Sequence, residues 1–172
     1  DRLIYQDDRG LLDLPLPNLP GPHQVMNAGA AIAALRHLGR DEAACEAAIT
    51  RAYWPARMEK LTKGALVDLA APAELWLDGG HNPAAGVALA ATLRAQSPRP
   101  THLICGMLNT KDIAGYLRPL AGIAQSLTAV SIPGEANTIP AEDTARFAAD
   151  VGLPASTAAS VQDAITAIRA AH

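Results

Sequence analysis

The chain has 172 residues, 49% of them hydrophobic and 18% charged, enough to bury the core of one ordinary domain, or of one domain plus part of a neighbour. Its 14 Lys and Arg against 17 Asp and Glu give a net charge of −3, which leaves no basic stripe for phosphates and argues against a nucleic-acid or membrane-surface protein. No apolar run approaches the ~20 residues of a membrane span and no signal-peptide pattern opens the chain.

The first residue is Asp rather than Met, so the sequence reads as a piece of something longer. Cys45 and Cys105 have no CxxC spacing and read as buried small hydrophobes in a reducing compartment. Aromatics are only 3%, while alanine makes up roughly a fifth of the chain, well above ordinary usage. Alanine loses no side-chain freedom in a helix, so the Ala-rich stretches predict helices packed closely on a sheet.

In chain order, Leu3 to Gln6 and Leu11 to Leu14 flank Asp7-Asp8-Arg9-Gly10 and predict a strand pair. Four prolines between Pro15 and Pro22 dictate an extended loop. His23 to Leu38 is predicted helix, with Val25, Met26, Ile32, Leu35 and Leu38 near helical spacing and Gly39 as the stop. Asp41 is the expected N-cap of a second helix through about Ala52, antiparallel to the first. Tyr53-Trp54-Pro55 breaks that helix. Met58 to Leu61 and Ala65 to Leu69 then predict strands around a turn at Thr62-Lys63-Gly64, and Glu74 to Asp78 a third strand. Further strands are expected at His102 to Cys105, Leu127 to Ile132 and Ser156 to Ala159. Helices are expected at Ala84 to Ala95, Ile113 to Leu120, Ala141 to Val151 and Val161 to Ala171. Repeated strand–helix units imply an α/β fold with a mostly parallel, Rossmann-like sheet flanked by helices.

Open parallel sheets bind ligands beyond the C-terminal ends of their strands. Asp78 ends one strand, Gly79 and Gly80 permit close backbone approach, and His81 and Asn82 precede Pro83, which suits a helix's first turn. A carboxylate, an imidazole and an amide therefore gather at a helix N-terminus, where N–H groups favour anions. The plainer reading, Asp78 and Asn82 as caps of an ordinary strand–helix turn, remains open on spacing alone.

Four stretches, in order, carry a resemblance. Leu19-Pro20-Gly21-Pro22-His23-Gln24 followed by Asn27 resembles a Gly-x-His-Gln-x-x-Asn helix entry. Trp54-Pro55-Ala56-Arg57 resembles a Trp-x-Gly-Arg junction. Asp78-Gly79-Gly80-His81-Asn82-Pro83 is similar to Asp-Gly-Ala-His-Asn-Pro, and Gly106-Met107-Leu108-Asn109-Thr110-Lys111-Asp112 to a Gly-x-x-x-x-Lys-Asp loop. These motifs are those of the folylpolyglutamate synthase / dihydrofolate synthase family within the Mur ligase group. Two departures stand out: Ala56 replaces the usual Gly, and no Gly-x-x-x-x-Gly-Lys-Ser/Thr phosphate loop occurs.

The resemblance implies a C-terminal part of an ATP-dependent ligase. Residues 1–52 would be the tail of its central ATPase domain and residues 53–172 the C-terminal Rossmann-like domain, lacking its last strand. The phosphate loop and Mg2+ ligands would belong to the preceding ATPase domain, so the chain alone is expected to fold without ligase activity. The implied reaction joins L-glutamate to a folate or dihydropteroate carboxylate through an acyl phosphate, in the cytoplasm. By the same resemblance Asn27 lies near adenine, Arg57 reaches the ATP phosphates, Asp78 accepts from ribose hydroxyls and His81 approaches the phosphates. Lys111 joins His81 as a catalytic candidate, and Lys111 with Asp112 is the candidate glutamate site; Asp112 reads equally well as a helix cap. Two alternatives stay open: a peptidoglycan-precursor ligase domain, and a stand-alone nucleotide-binding module. No GxGxxG follows any strand, which disfavours the latter.

Overall fold

The computed structural model describes residues 1–96 and 99–171; His172, to which the sequence reading assigns no role, lies outside them. The chain divides into two compact units, Asp1–Met58 and Glu59 onward, so Trp54-Pro55-Ala56-Arg57 falls in the first.

In the first unit, β1 (Leu3–Asp7) and β2 (Gly10–Leu14) form the expected antiparallel pair, with Leu3 opposite Leu14 and Tyr5 opposite Leu12. Gly10 takes φ 109°, and the Asp7 carboxylate accepts from Arg9 N at 2.9 Å, which closes the turn. Strand alternation buries Leu3, Leu12 and Leu14 and leaves Ile4 and Leu11 exposed. Helices α1 (Pro22–His37) and α2 (Glu42–Thr50) complete this core with Ala28, Ile32, Cys45 and Ile49. Asp41 caps α2 as predicted, accepting from Ala44 N at 2.9 Å. An Arg36–Asp7 ion pair of 2.8 Å, largely shielded from solvent, ties α1 to β1.

The buried face of α1 differs from the expected one. Gln24, Ala28 and Ile32, four apart, face inward, while Val25, Met26 and Leu38 are exposed, Met26 by 76%. The small Ala28 sets the packing stripe, and the bulkier side chains one or two positions along are rotated outward.

The second unit starts with β3 (Glu59–Leu61), which pairs antiparallel with β4 (Leu75–Leu77). Between them Ala65–Ala70 is helix α3, where the sequence reading expects a strand. Short apolar runs do not distinguish helix from strand; here Gly64 at φ 111° starts the turn, and Arg169 donates to the Leu69 carbonyl at 2.7 Å near the helix end. The Glu74–Asp78 strand therefore lies in a two-stranded ribbon rather than in the parallel sheet. It is also more exposed than expected, with Leu77 46% accessible.

After α4 (Pro83–Ala95), a parallel sheet forms from β5 (His102–Cys105), β6 (Ser126–Ala129) and β7 (Ala155–Thr157), in that order. The crossovers are α5 (Ile113–Leu117), which tightens into a 3-10 turn at Arg118–Leu120, and α6 (Ala141–Asp150); α7 (Val161–Ala171) follows β7. Leu117, Leu120, Leu127, Ala129 and Leu153 are wholly buried. The predicted α/β fold with a parallel, helix-flanked sheet is thus present, with three strands. Strand β6 stops at Ala129 instead of Ile132, because Thr138 Oγ1 takes the Ile132 N–H at 2.8 Å. Among the described residues no helix is long and apolar enough to cross a membrane.

Two predictions arise here. Glu74 accepts from Lys60 at 2.6 Å and from Trp76 Nε1 at 3.2 Å, and pairs with Arg99 at 3.1 Å. These contacts, the Lys60 hydrogen bond foremost, hold its pKa down at about 2 against an ordinary 4.5. Because the folded-state pKa is depressed, the stabilisation is present above pH 4.5 and is lost as pH falls toward 2. Glu74→Gln should flatten the acid limb of thermal stability in this window; an unchanged limb would show that the cluster contributes nothing. Separately, Ala56 has φ 55°, a left-handed backbone that costs a residue with a Cβ about 1–2 kcal/mol. Ala56→Gly should raise the unfolding free energy in urea by about 1 kcal/mol.

Candidate functional site

The C-terminal ends of β4 and β5 border one cleft of about 90 Å3, lined among others by Asp78, Gly80, Cys105, Gly106, Met107 and Tyr116. Local hydrogen bonds build its rim. Asp78 Oδ1 accepts from Gly80 N at 2.8 Å, turning the chain sharply. Asn82 caps α4, its side-chain oxygen accepting from Ala85 N at 2.9 Å, and Pro83 occupies the first turn. Asp112 caps α5 by accepting from Gly115 N at 2.8 Å. The cap readings of Asn82 and Asp112 therefore hold; Asp78 instead closes the turn before the helix.

His81 is exposed, and its Nδ1 lies 2.8 Å from the Gly79 carbonyl. A carbonyl oxygen only accepts, so Nδ1 carries the proton in this arrangement. Nε2 of the neutral ring is then an acceptor, and only the imidazolium can donate from it to an anion. Lys111 is exposed, and among the described residues its ammonium has no partner. Its backbone N–H donates to Leu108 O at 3.1 Å, which curls the loop after β5.

That loop is braced from the neighbouring strand end. Asn109 N donates to Asn137 O, and Ile139 N to Met107 O, both at 2.8 Å. Val130 N donates to Cys105 O at 2.9 Å. Burial pushes the Cys105 thiol up to about 11, so it stays protonated at neutral pH and is no nucleophile. Among the described residues no cluster of three or more His, Cys, Asp or Glu is arranged to hold a metal ion.

The first unit carries the other two candidates. Asn27 is exposed on α1, and its amide donates to Gln24 Oε1 at 3.0 Å, a side-chain rather than a backbone contact. Gln24, buried to 6% exposure, in turn lies 3.1 Å from His23 Nε2. Arg57 is exposed, without a partner among the described residues, and stands between Ala56 at φ 55° and Met58 at φ 47°. The structure thus brings Asp78 to the cleft, with His81 on the turn that follows it, and sets Lys111 and Asp112 on the loop after β5.

Sequence reasoning missed the glycines that bring the rims together. A Cβ on Gly86 would lie 2.2 Å from the Tyr116 carbonyl oxygen, and one on Gly115 would lie 2.7 Å from Pro83 Cγ. Helices α4 and α5 touch backbone to backbone at Gly86, and at Gly115 the α5 backbone packs on the Pro83 ring. It also missed Tyr116, which reads in sequence as one more apolar position of a helix.

Residues 56–172 match the model of the Mur ligase, glutamate ligase domain. The chain belongs to this family. It is 27% identical over 146 residues to the folylpolyglutamate synthase of Lacticaseibacillus casei, covering 81% of this chain and 32% of that protein. It is 30% identical over 129 residues to a probable bifunctional folylpolyglutamate synthase/dihydropteroate synthase of Haloferax volcanii, covering 73% and 14%. Among solved structures it resembles Mycobacterium tuberculosis folylpolyglutamate synthase complexed with ADP and AMPPCP, with a TM-score of 0.79 and 28% identity over 94% of this chain and 36% of that one. It also resembles E. coli FolC in complex with DHPP and ADP, with a TM-score of 0.77 and 29% identity over 96% and 37%. The likeness to the Thermotoga maritima UDP-N-acetylmuramate-alanine ligase, at 17% identity, is one of fold. The chain spans about a third of the first folylpolyglutamate synthases it matches.

The backbone contact yields a prediction. Gly86→Ala should destabilise by about 1–3 kcal/mol, because a Cβ overpacks the Tyr116 carbonyl; this outweighs the gain of about 1 kcal/mol in helix propensity. A melting temperature equal to or above wild type would show that α4 and α5 separate easily.

Proposed function

We propose that this chain acts as the C-terminal part of an ATP-dependent ligase that joins L-glutamate to a folate or dihydropteroate carboxylate. The observation that carries the reading is one cleft lined by Asp78 and Gly80 of the loop before α4 and by Gly106 and Met107 of the loop after β5, in a chain 28–29% identical to folylpolyglutamate synthases solved with ADP. In this reading the substrate carboxylate attacks the γ-phosphorus, ADP leaves, the glutamate amine attacks the acyl phosphate and phosphate departs. Mg2+, held by a preceding ATPase domain, would neutralise charge on the phosphates. The exposed apolar side chains Ile4, Leu11 and Met26 support the assignment of residues 1–52 to the tail of that domain.

Each side chain has a task that its environment suits. Asp78, its backbone turn already formed, accepts from ribose hydroxyls. Arg57, an exposed guanidinium without a partner, offers two parallel donors to phosphate oxygens. His81 meets a phosphate oxygen through Nε2 when the ring is protonated. Lys111 steers a glutamate carboxylate, and Asp112 fixes the loop that carries it. Asn27, its amide nitrogen turned toward Gln24, presents its carbonyl oxygen to the exocyclic amine of adenine.

The test is glutamate addition by the complete ligase, given ATP, Mg2+, L-glutamate and either dihydropteroate or tetrahydrofolate. Folate-dependent release of ADP together with a glutamylated product supports the reading; consumption of a muramoyl precursor instead would overturn it. Arg57→Ala should lower kcat/KM for ATP about 10- to 150-fold, the range for one lost charge-assisted hydrogen bond. Its melting temperature should stay at wild type, since the side chain has no partner. Asp78→Asn, which keeps an acceptor for Gly80 N, separates ligand contact from turn stability better than Asp78→Ala and should raise KM for ATP. Wild-type kinetics in both variants would misplace the nucleotide site.

A further inference from the structure

Tyr116 lies at the inner wall of the cleft, only 7% exposed. One point, the position a Cβ on Gly80 would take, is 2.8 Å from Asp78 Oδ1 and 3.0 Å from Tyr116 Cε2. The phenol edge and the carboxylate thus face each other across the glycine. Among the described residues the Tyr116 hydroxyl has no hydrogen-bond partner, and its oxygen is not closed off from solvent, so it is available to a ligand. The Tyr116 backbone is also held in place, because it is the surface against which Gly86 packs.

We infer that Tyr116 is a ligand-binding residue, its hydroxyl donating to the sugar oxygen whose own proton goes to Asp78. This rests on the reading of Asp78 as the ribose acceptor. A carboxylate only accepts, so it takes a hydroxyl's proton and leaves that oxygen's lone pairs without a donor. Tyr116 supplies the donor. Burial raises its pKa above the ordinary value for a tyrosine, and the nearby Asp78 carboxylate adds to the effect, so the phenol keeps its proton throughout the neutral range. The pair then reads one sugar hydroxyl as donor and acceptor at once, at the cleft that both residues line.

The experiment compares ATP, 2′-deoxy-ATP and 3′-deoxy-ATP as substrates of the complete ligase, for wild type, Tyr116→Phe and Asp78→Asn. Tyr116→Phe removes one oxygen that bonds to nothing in the protein, so the melting temperature should stay put. KM for ATP should rise about 5- to 10-fold, as expected for one lost neutral hydrogen bond. The preference of wild type for ATP over one of the two deoxy analogues should shrink by the same factor. That preference is a ratio within one preparation and is insensitive to the fraction folded. An unchanged ratio in Tyr116→Phe, with a reduced one in Asp78→Asn, overturns the role of Tyr116 alone. Unchanged ratios in both variants overturn the ribose site itself.

Discussion

The geometry of the cleft depends on helices α4 and α5 approaching to backbone contact. Gly86 on one helix faces the Tyr116 carbonyl on the other, with no room for a methyl group between. Two loops from different strands meet only if the helices they lead into are this close. The loop before α4 carries Asp78 and His81, and the loop before α5 carries Lys111 and Asp112. Gly115 against Pro83 repeats the constraint near the N-terminal ends of both helices. Ordinary side chains at these positions would hold the helices at the usual 8–10 Å separation and draw the two rims apart.

Around this contact, nearly every polar group near the cleft that is not offered to a ligand serves to shape the backbone. Asp78 takes the Gly80 N–H, Asn82 the Ala85 N–H and Asp112 the Gly115 N–H. Capping and ligand contact are therefore not rival explanations for these loops. A cap fixes the backbone from which a neighbouring side chain reaches out, and such pre-positioning limits the ordering entropy that binding must overcome. Asp78 forms its turn through one bond and in the proposed reading would also meet ribose, which is why its turn-forming bond and its charge need separate substitutions.

Much of this was legible in sequence because it was written in local chemistry. Asp41 before an Ala-rich run, Gly10 closing a turn and Pro83 after Asn82 each have one strongly preferred geometry, and each adopts it. The Asp78–Pro83 signature was conspicuous for the same reason. What failed was decided by distant partners. Ala65–Ala70 is apolar enough for either state, and the helix is favoured by Arg169, a hundred residues away in sequence. The inward face of α1 was misjudged because hydrophobicity ranks Met26 above Ala28, whereas close packing on a hairpin selects the smaller residue. The antiparallel pairing of β4 with β3 was likewise invisible, since it depends on Lys60 and Trp76 meeting around Glu74. Gly86, Gly115 and Tyr116 carry no local signal at all.

The same distinction bears on how the ligand groups act. His81 spends Nδ1 on the carbonyl of Gly79, within its own turn, and so offers an anion nothing but Nε2. That bond removes the neutral ring's capacity to donate outward, so His81 would gain a donor for phosphate only along with a positive charge. Asn27 is restrained in a comparable way: one amide N–H is spent on buried Gln24, and the carbonyl oxygen keeps both its lone pairs for an outside donor. In both cases a neighbour in the chain takes up one polar group, an amide N–H of Asn27 and Nδ1 of His81, and so narrows what the side chain offers outward. Substituting Gln24 or altering the Gly79 turn would then change which groups these residues present without removing either of them.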